Sequence, residues 1–118
     1  MFVKLLKSKL HRATVTDTKL HYPGSIAIDS ALMKAAGILP YESVLVANLN
    51  NGNRFETYTV VAEANSGQVV ILGPAAHLVN PKDVIVIFAF GCYTPDEAAK
   101  VKPKIIVLDE NNRVKSKG

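Results

Sequence analysis

The sequence predicts one mainly β domain, a small barrel or sandwich with two short helices, on three observations. Its apolar residues fall in short β-branched runs, Asn, Gly and Pro clusters punctuate those runs, and 118 residues suit one core but not two. Residues 2–6 and 13–16 are the first strand candidates, followed by 44–49 and 55–61, joined by Asn50-Asn51-Gly52-Asn53. Those Asn and Gly residues tolerate the positive φ of a tight hairpin. Further strands are expected at 68–72, 84–90 and 104–108, separated by Asn65-Ser66-Gly67 and Asn80-Pro81-Lys82-Asp83. Asp29 can cap a short helix over 30–36, with Gly37 free to take the left-handed conformation that ends it. Thr94-Pro95-Asp96-Glu97 reads as a capping box opening a second helix, which Pro103 stops. The residues beyond Asp109 read as a polar tail. So many short strands imply that closure, or pairing between subunits, removes exposed edges.

Composition narrows the function. Hydrophobic residues make up 48% and charged residues 20%, which suits a folded globular chain and not a disordered one. The longest apolar run, 84–93, is about half of the roughly 20 residues that span a bilayer, so no membrane helix is expected. The N-terminus interleaves Lys4, Lys7 and Lys9 with apolar residues and lacks the form of a signal peptide, which predicts a cytoplasmic protein. Cys92 stands alone, without partners at metal-ligand spacing. The net charge of +4 is concentrated towards the chain ends, and the central hairpin carries only Arg54, flanked by Glu56, which argues against a nucleic-acid partner.

Chemistry concentrates in Lys9-Leu10-His11-Arg12-Ala13-Thr14-Val15-Thr16 and Leu20-His21-Tyr22-Pro23-Gly24-Ser25-Ile26-Ala27-Ile28-Asp29. From composition alone, Gly24-Ser25 is a turn. A serine that follows a glycine carbonyl has one further option: its Oγ can attack that carbonyl and turn the amide into an ester, given strain and a nearby oxyanion donor. Elimination then leaves dehydroalanine, which hydrolyses to a pyruvoyl group.

These segments, with Asn51-Gly52-Asn53-Arg54-Phe55-Glu56-Thr57-Tyr58 and Gly73-Pro74-Ala75-Ala76-His77, closely resemble the bacterial aspartate 1-decarboxylase family, from Met1 to about Asp109 without a gap. The resemblance implies a double-psi β-barrel, a homotetramer with sites at subunit interfaces, and self-cleavage between Gly24 and Ser25. The products would be a 1–24 β chain and a 25–118 α chain. It also implies a lyase that decarboxylates L-aspartate to β-alanine and CO2 for pantothenate and coenzyme A synthesis. The cofactor would be a covalent pyruvoyl group made from Ser25, with no metal and no pyridoxal phosphate.

The resemblance also assigns roles. Ser25 becomes the covalent residue, whose ketone would form a Schiff base with the substrate amine and serve as electron sink. Tyr58 is the proton donor to the carbanion. Lys9 and Arg54 hold substrate carboxylates, and a guanidinium fork suits this physically. Thr57 contacts substrate and assists cleavage, while Gly73, Pro74 and Ala75 line the substrate through a loop. His11 and Tyr22 support processing. Strand alternation puts Thr57 and Tyr58 on opposite faces, so both serve one site only at a bulge, a strand end or an interface.

The facing loop departs from the family pattern. Where the family usually reads Asn-Gly-Ala-Ala-Ala-His, this chain reads Leu72-Gly73-Pro74-Ala75-Ala76-His77. Leu72 cannot hydrogen-bond through its side chain, and Pro74 has no N–H to donate. Altered substrate contacts, slow or assisted cleavage, and a relative that no longer processes are all compatible with this, and a basic β-barrel DNA-binding regulator is the alternative from another class. Pro23 restricts Tyr22 to extended conformations.

Overall fold

The computed structural model describes every residue from Met1 to Gly118. It contains nine strands: β1 (Val3–Thr14), β2 (Asp17–Lys19), β3 (Ser25–Asp29), β4 (Ser43–Asn48), β5 (Arg54–Ala62), β6 (Val69–Leu72), β7 (Val84–Tyr93), β8 (Lys104–Leu108) and β9 (Val114–Lys117). They pair in the order β2-β6-β3-β5-β4-β7-β1-β8-β9. Helix α1 (Ser30–Ala36) follows β3, α2 (Pro95–Ala98) follows β7, and a 3-10 turn spans Pro74–Leu78.

The mainly β expectation and both helices hold, except that α2 ends at Ala98, well before the Pro103 expected to stop it. Asp29 accepts from the amide of Ala31 at the start of α1, and Gly37 ends that helix at φ 69°. Thr94 and Glu97 cap each other across the start of α2. The hairpin forms as expected, with Ala47 opposite Arg54 and Gly52 at φ 77°.

Three local expectations need correction. The separate strands at 2–6 and 13–16 are parts of one long β1, which ends at Thr14 and absorbs register shifts between Leu6 and Ser8 and between His11 and Ala13. Arg12, at φ 67°, takes the second irregularity. The segment after Asp109 is not a free tail: its end forms β9, antiparallel to β8. Residues 25–29 form β3, which the processing motif concealed.

Three parallel pairings, β1 with β8, β2 with β6 and β3 with β5, join strands distant in sequence and separate this topology from a simple meander. The sheet curls until its halves meet. Beyond β1, the Thr16 amide donates to the Val69 carbonyl at 2.8 Å, and Thr16 Oγ1 accepts from the Val69 amide at 3.0 Å. The enclosed core runs from Leu10, Val15, Ile26 and Ile28 through Val46, Ile71, Ile85 and Ile87, and Leu32 and Met33 of α1 plug one end. This is the small closed barrel that the strand count and the resemblance both imply.

Candidate active site

Ser25 is the first residue of β3 and is 6% exposed. The Gly24–Ser25 bond therefore lies just outside the strand, between a turn and a hydrogen-bonded ladder. Antiparallel pairing sets Ser25 opposite Leu72, the last residue of β6. The parallel register of β3 with β5, Ile26 against Thr59, extends back by one residue to bring Ser25 level with Tyr58.

Next to Leu72 the backbone crowds the scissile bond. Gly73 sits at φ 84° with its amide donating to the Lys19 carbonyl at 2.8 Å. A Cβ built on Gly73 would lie 2.7 Å from both Gly24 Cα and the Tyr22 carbonyl oxygen, a separation that real side chains do not reach. Only glycine lets the two loops pack this closely. Pro74 opens the 3-10 turn, and a methyl on Gly24 would meet its Cδ at 3.7 Å. Lys19 Nζ lies 5.8 Å from the ring centroid of the half-exposed Tyr22 on the same loop.

Thr57 and Tyr58 occupy the point at which β5 changes partners. Residues 54–58 pair with β4, whereas 59–62 pair with β3. Tyr58 is 39% exposed, while Thr57 lies half-buried opposite Val44. The two face opposite ways in the middle of β5, where neither pairing shows a bulge.

Lys9, His11 and Arg54 lie elsewhere. Across the sheet His11, Val86, Ala47 and Arg54 form one row, and Lys9, Phe88, Leu45 and Glu56 form the next. The neighbouring row of Leu10, Ile87, Val46 and Phe55 faces the core, so these two rows face outward. Arg54 and Tyr58 share a face but are separated by about 13 Å along β5. The predicted residues thus divide into those beside Ser25 in the fold, namely Gly24, Tyr22, Tyr58, Gly73 and Pro74 with Ala75 in the same turn, then Thr57 on the opposite face of β5 from Tyr58, and an outward group of Lys9, His11 and Arg54.

The cationic group has a distinctive electrostatic character. His11 has its pKa lowered by burial first, and then by the charges of Lys9 and Arg12. Its Nδ1 is buried without a hydrogen-bond partner. Lys9 Nζ lies 5.8 Å from the Phe88 ring centroid. Cations therefore border an apolar strip of Val86, Ala47 and Phe88. No three His, Cys, Asp or Glu side chains converge to hold a metal ion.

Sequence reasoning missed the ties that hold the loops. The side-chain amides of Asn48, Asn51 and Asn53 all donate to the Leu78 carbonyl, at 3.3, 3.2 and 3.3 Å. The hairpin that carries Arg54 is therefore fastened to the turn that carries Pro74. A second tie, at the far end of β3, is the Asp29 carboxylate, which accepts from the amides of Ala31, Asn65 and Gly67. A third is Asn112, 1% exposed, which donates to the carbonyls of Thr14 and Gly67 and accepts from the Thr14 amide. The signal for all three was the density of Asn and Asp around turns, whose side chains mimic backbone groups.

Comparison with known proteins agrees with the geometry. A family profile described as aspartate decarboxylase matches residues 1–115. The aspartate 1-decarboxylases of Acetivibrio thermocellus and Thioalkalivibrio sulfidiphilus are each 49% identical to this chain over 97% of its length and 90% of theirs. That of Caldicellulosiruptor bescii is 50% identical over 97% of this chain and 89% of its own length. With Ser25 at the head of a strand, glycine packed on glycine behind it, and relatives of nearly the same length, this chain belongs to the aspartate decarboxylase family.

Proposed function

We propose that the chain cuts itself between Gly24 and Ser25 and then decarboxylates L-aspartate to β-alanine and CO2. The observation that carries this reading is the placement of Ser25, buried at a strand start, level with Tyr58 and backed by the Gly73–Gly24 contact. Ser25 Oγ attacks the Gly24 carbonyl carbon, the C–N bond breaks, and the hydroxyl proton passes to the freed Ser25 nitrogen. Loss of the Ser25 Cα proton then expels the Gly24 carboxylate, and the resulting enamine takes up one water and releases one ammonia.

The chain's own residues suit a pyruvoyl group at position 25. The bond to be broken lies outside the β3 ladder, so the strand that would carry the group survives the cut. When present, that group supplies the electron sink that side chains lack. Tyr58 holds the proton that returns to the substrate carbon, and Thr57 is the second β5 residue that we assign to the site. Lys9 and Arg54 lie on the outward rows of β1 and β5, with Arg54 about 13 Å along the strand from Tyr58. We assign them to the site of a neighbouring subunit, which supports a homotetramer with interfacial sites. The biosynthetic role that this chemistry serves is β-alanine supply for pantothenate and coenzyme A, in the cytoplasm.

Two measurements test this. Denaturing mass spectrometry of warmed protein should show fragments 1–24 and 25–118, the larger blocked by a ketone. An intact chain after prolonged warming would sink the cleavage claim. The processed enzyme should release CO2 from L-aspartate and not from L-glutamate or L-cysteate, and silence with aspartate would remove the substrate assignment.

A further inference from the structure

We infer that Glu42 is a positioning residue for Tyr58: its carboxylate locks the turn over residues 39–42, and that turn engages all three polar groups of Thr59, the residue next to Tyr58. This rests on the reading of Tyr58 as proton donor given above.

Thr59 is fully buried and sits where β5 leaves β4 and joins β3. Its amide donates to the Glu42 carbonyl at 3.1 Å, its carbonyl accepts from the Tyr41 amide at 2.8 Å, and its hydroxyl donates to the Leu39 carbonyl at 2.7 Å. Ser43, which follows Glu42, stands opposite Tyr58 itself. The backbone at Tyr58 and Thr59 is therefore set by where this turn lies.

The side chains at the tip of the turn do little to hold it. Leu39 and Tyr41 are 67% and 75% exposed, and Tyr41 takes a left-handed φ of 65°, which a bulky residue keeps only when its surroundings impose it. Glu42 supplies the restraint. One carboxylate oxygen accepts from the Leu39 amide at 2.9 Å and closes the turn. The other pairs with Lys7 Nζ at 2.6 Å and ties the turn to β1, in a place where both side chains are mostly shielded from solvent.

The step that Tyr58 serves moves its hydroxyl proton to the carbon that has lost CO2, a C–H bond forming as the O–H bond breaks. Such a donor must stay within hydrogen-bond reach of that carbon, and a misplacement of about 1 Å can cost up to 100-fold in rate. Tyr58 is 39% exposed, so its ring is aimed chiefly by its backbone. Loosening the turn should then slow proton return and leave substrate binding nearly intact.

The test compares wild type with Glu42→Ala, Glu42→Gln and Lys7→Met as processed enzyme, with rates referred to the amount of ketone-blocked 25–118 fragment measured by mass. Glu42→Ala should lower kcat for L-aspartate about tenfold with KM within about twofold, the mark of an interaction felt only in the transition state. Glu42→Gln can still accept from the Leu39 amide, and Lys7→Met removes only the tie to β1, so each should lose about threefold. Independently of turnover, the Thr59 amide in the uncleaved Ser25→Ala chain should exchange its hydrogen about tenfold faster when Glu42→Ala is added. If Glu42→Ala does not fold or cleave, Glu42→Gln and Lys7→Met decide by the same measurements. An unchanged kcat, a KM that rises as far as kcat falls, or an equally protected Thr59 amide overturns the positioning role alone. Tyr58→Phe turning over as fast as wild type removes the donor, and wild type silent with aspartate removes the proposed reaction; either takes this inference with it.

Discussion

The two ends of β3 each carry a buried polar residue, and they are held in opposite ways. Asp29, 1% exposed, is fixed by hydrogen bonds: three backbone amides from two different segments converge on its carboxylate. Ser25, 6% exposed, lies beside a crowded turn, with Gly73 packed closely on Gly24 at its N-terminal side. A polar side chain whose bonding capacity is used up stabilises the fold. One held mainly by the shape of its surroundings keeps its lone pairs for chemistry. Within five residues the same strand shows both uses.

The largest expected effects break this comparison at its two poles. Ser25→Ala should abolish cleavage altogether and leave a single intact chain by mass, with a melting temperature close to that of uncleaved wild type. Asp29→Ala should act in reverse, orphaning three amides and a helix cap at a cost of about 2–4 kcal/mol, read as a shift of the urea midpoint. Gly73→Ala comes next and should impair both properties, because its methyl strains the fold at φ 84° and displaces Gly24. A loss of about 2–3 kcal/mol together with slowed cleavage is expected; unchanged stability would contradict the close packing.

A smaller effect separates binding from cleavage. Arg54→Ala should lower kcat/KM for aspartate by about 10–100-fold, the worth of a charged hydrogen-bonded contact. Mixing it with Ser25→Ala protein under conditions that exchange subunits should restore some sites if residues from two subunits build each one.

The smallest effect is a pH dependence at the Asp29 end. Burial opposes ionisation there and is the largest single influence, yet the amides of Gly67, Ala31 and Asn65, aided by the Arg113 charge, hold the pKa below the ordinary value of 3.8. A depressed folded pKa means that the stabilisation is complete above the unfolded value and declines as pH falls through it towards the folded one. Urea midpoints should therefore stay level down to about pH 4.5 and drop more steeply below it in wild type than in Asp29→Asn.

Much of the fold was legible because its signals are local. The Thr94–Glu97 capping box, the Asp29 and Gly37 caps and the Asn-Gly hairpin each declare themselves within a few residues. The strand Val114–Lys117 did not, since all four of its residues are exposed and only its pairing with β8 makes it a strand. Nor did the continuity of β1, which passes through a left-handed Arg12 that interrupts the alternation by which strands are recognised. At the site, motif likeness supplied the residue identities. Their division into a Ser25 group and an outward Lys9, His11 and Arg54 group depends on which strands lie side by side, a relation between distant segments that no local pattern encodes.

The twelve-residue β1 lies upstream of the bond we propose is cut, and it pairs with both β7 and β8. A chain severed at Gly24 therefore keeps its N-terminal fragment as a central strand, locked in place without any covalent link. Maturation in this way turns a unimolecular folding problem into a bimolecular one. The processed protein would melt with a midpoint that depends on concentration, and dilute, denatured fragments would find each other slowly or aggregate first. Its durability would then lie in the rate at which β1 leaves the sheet, and the uncut chain would be the only form that reliably refolds.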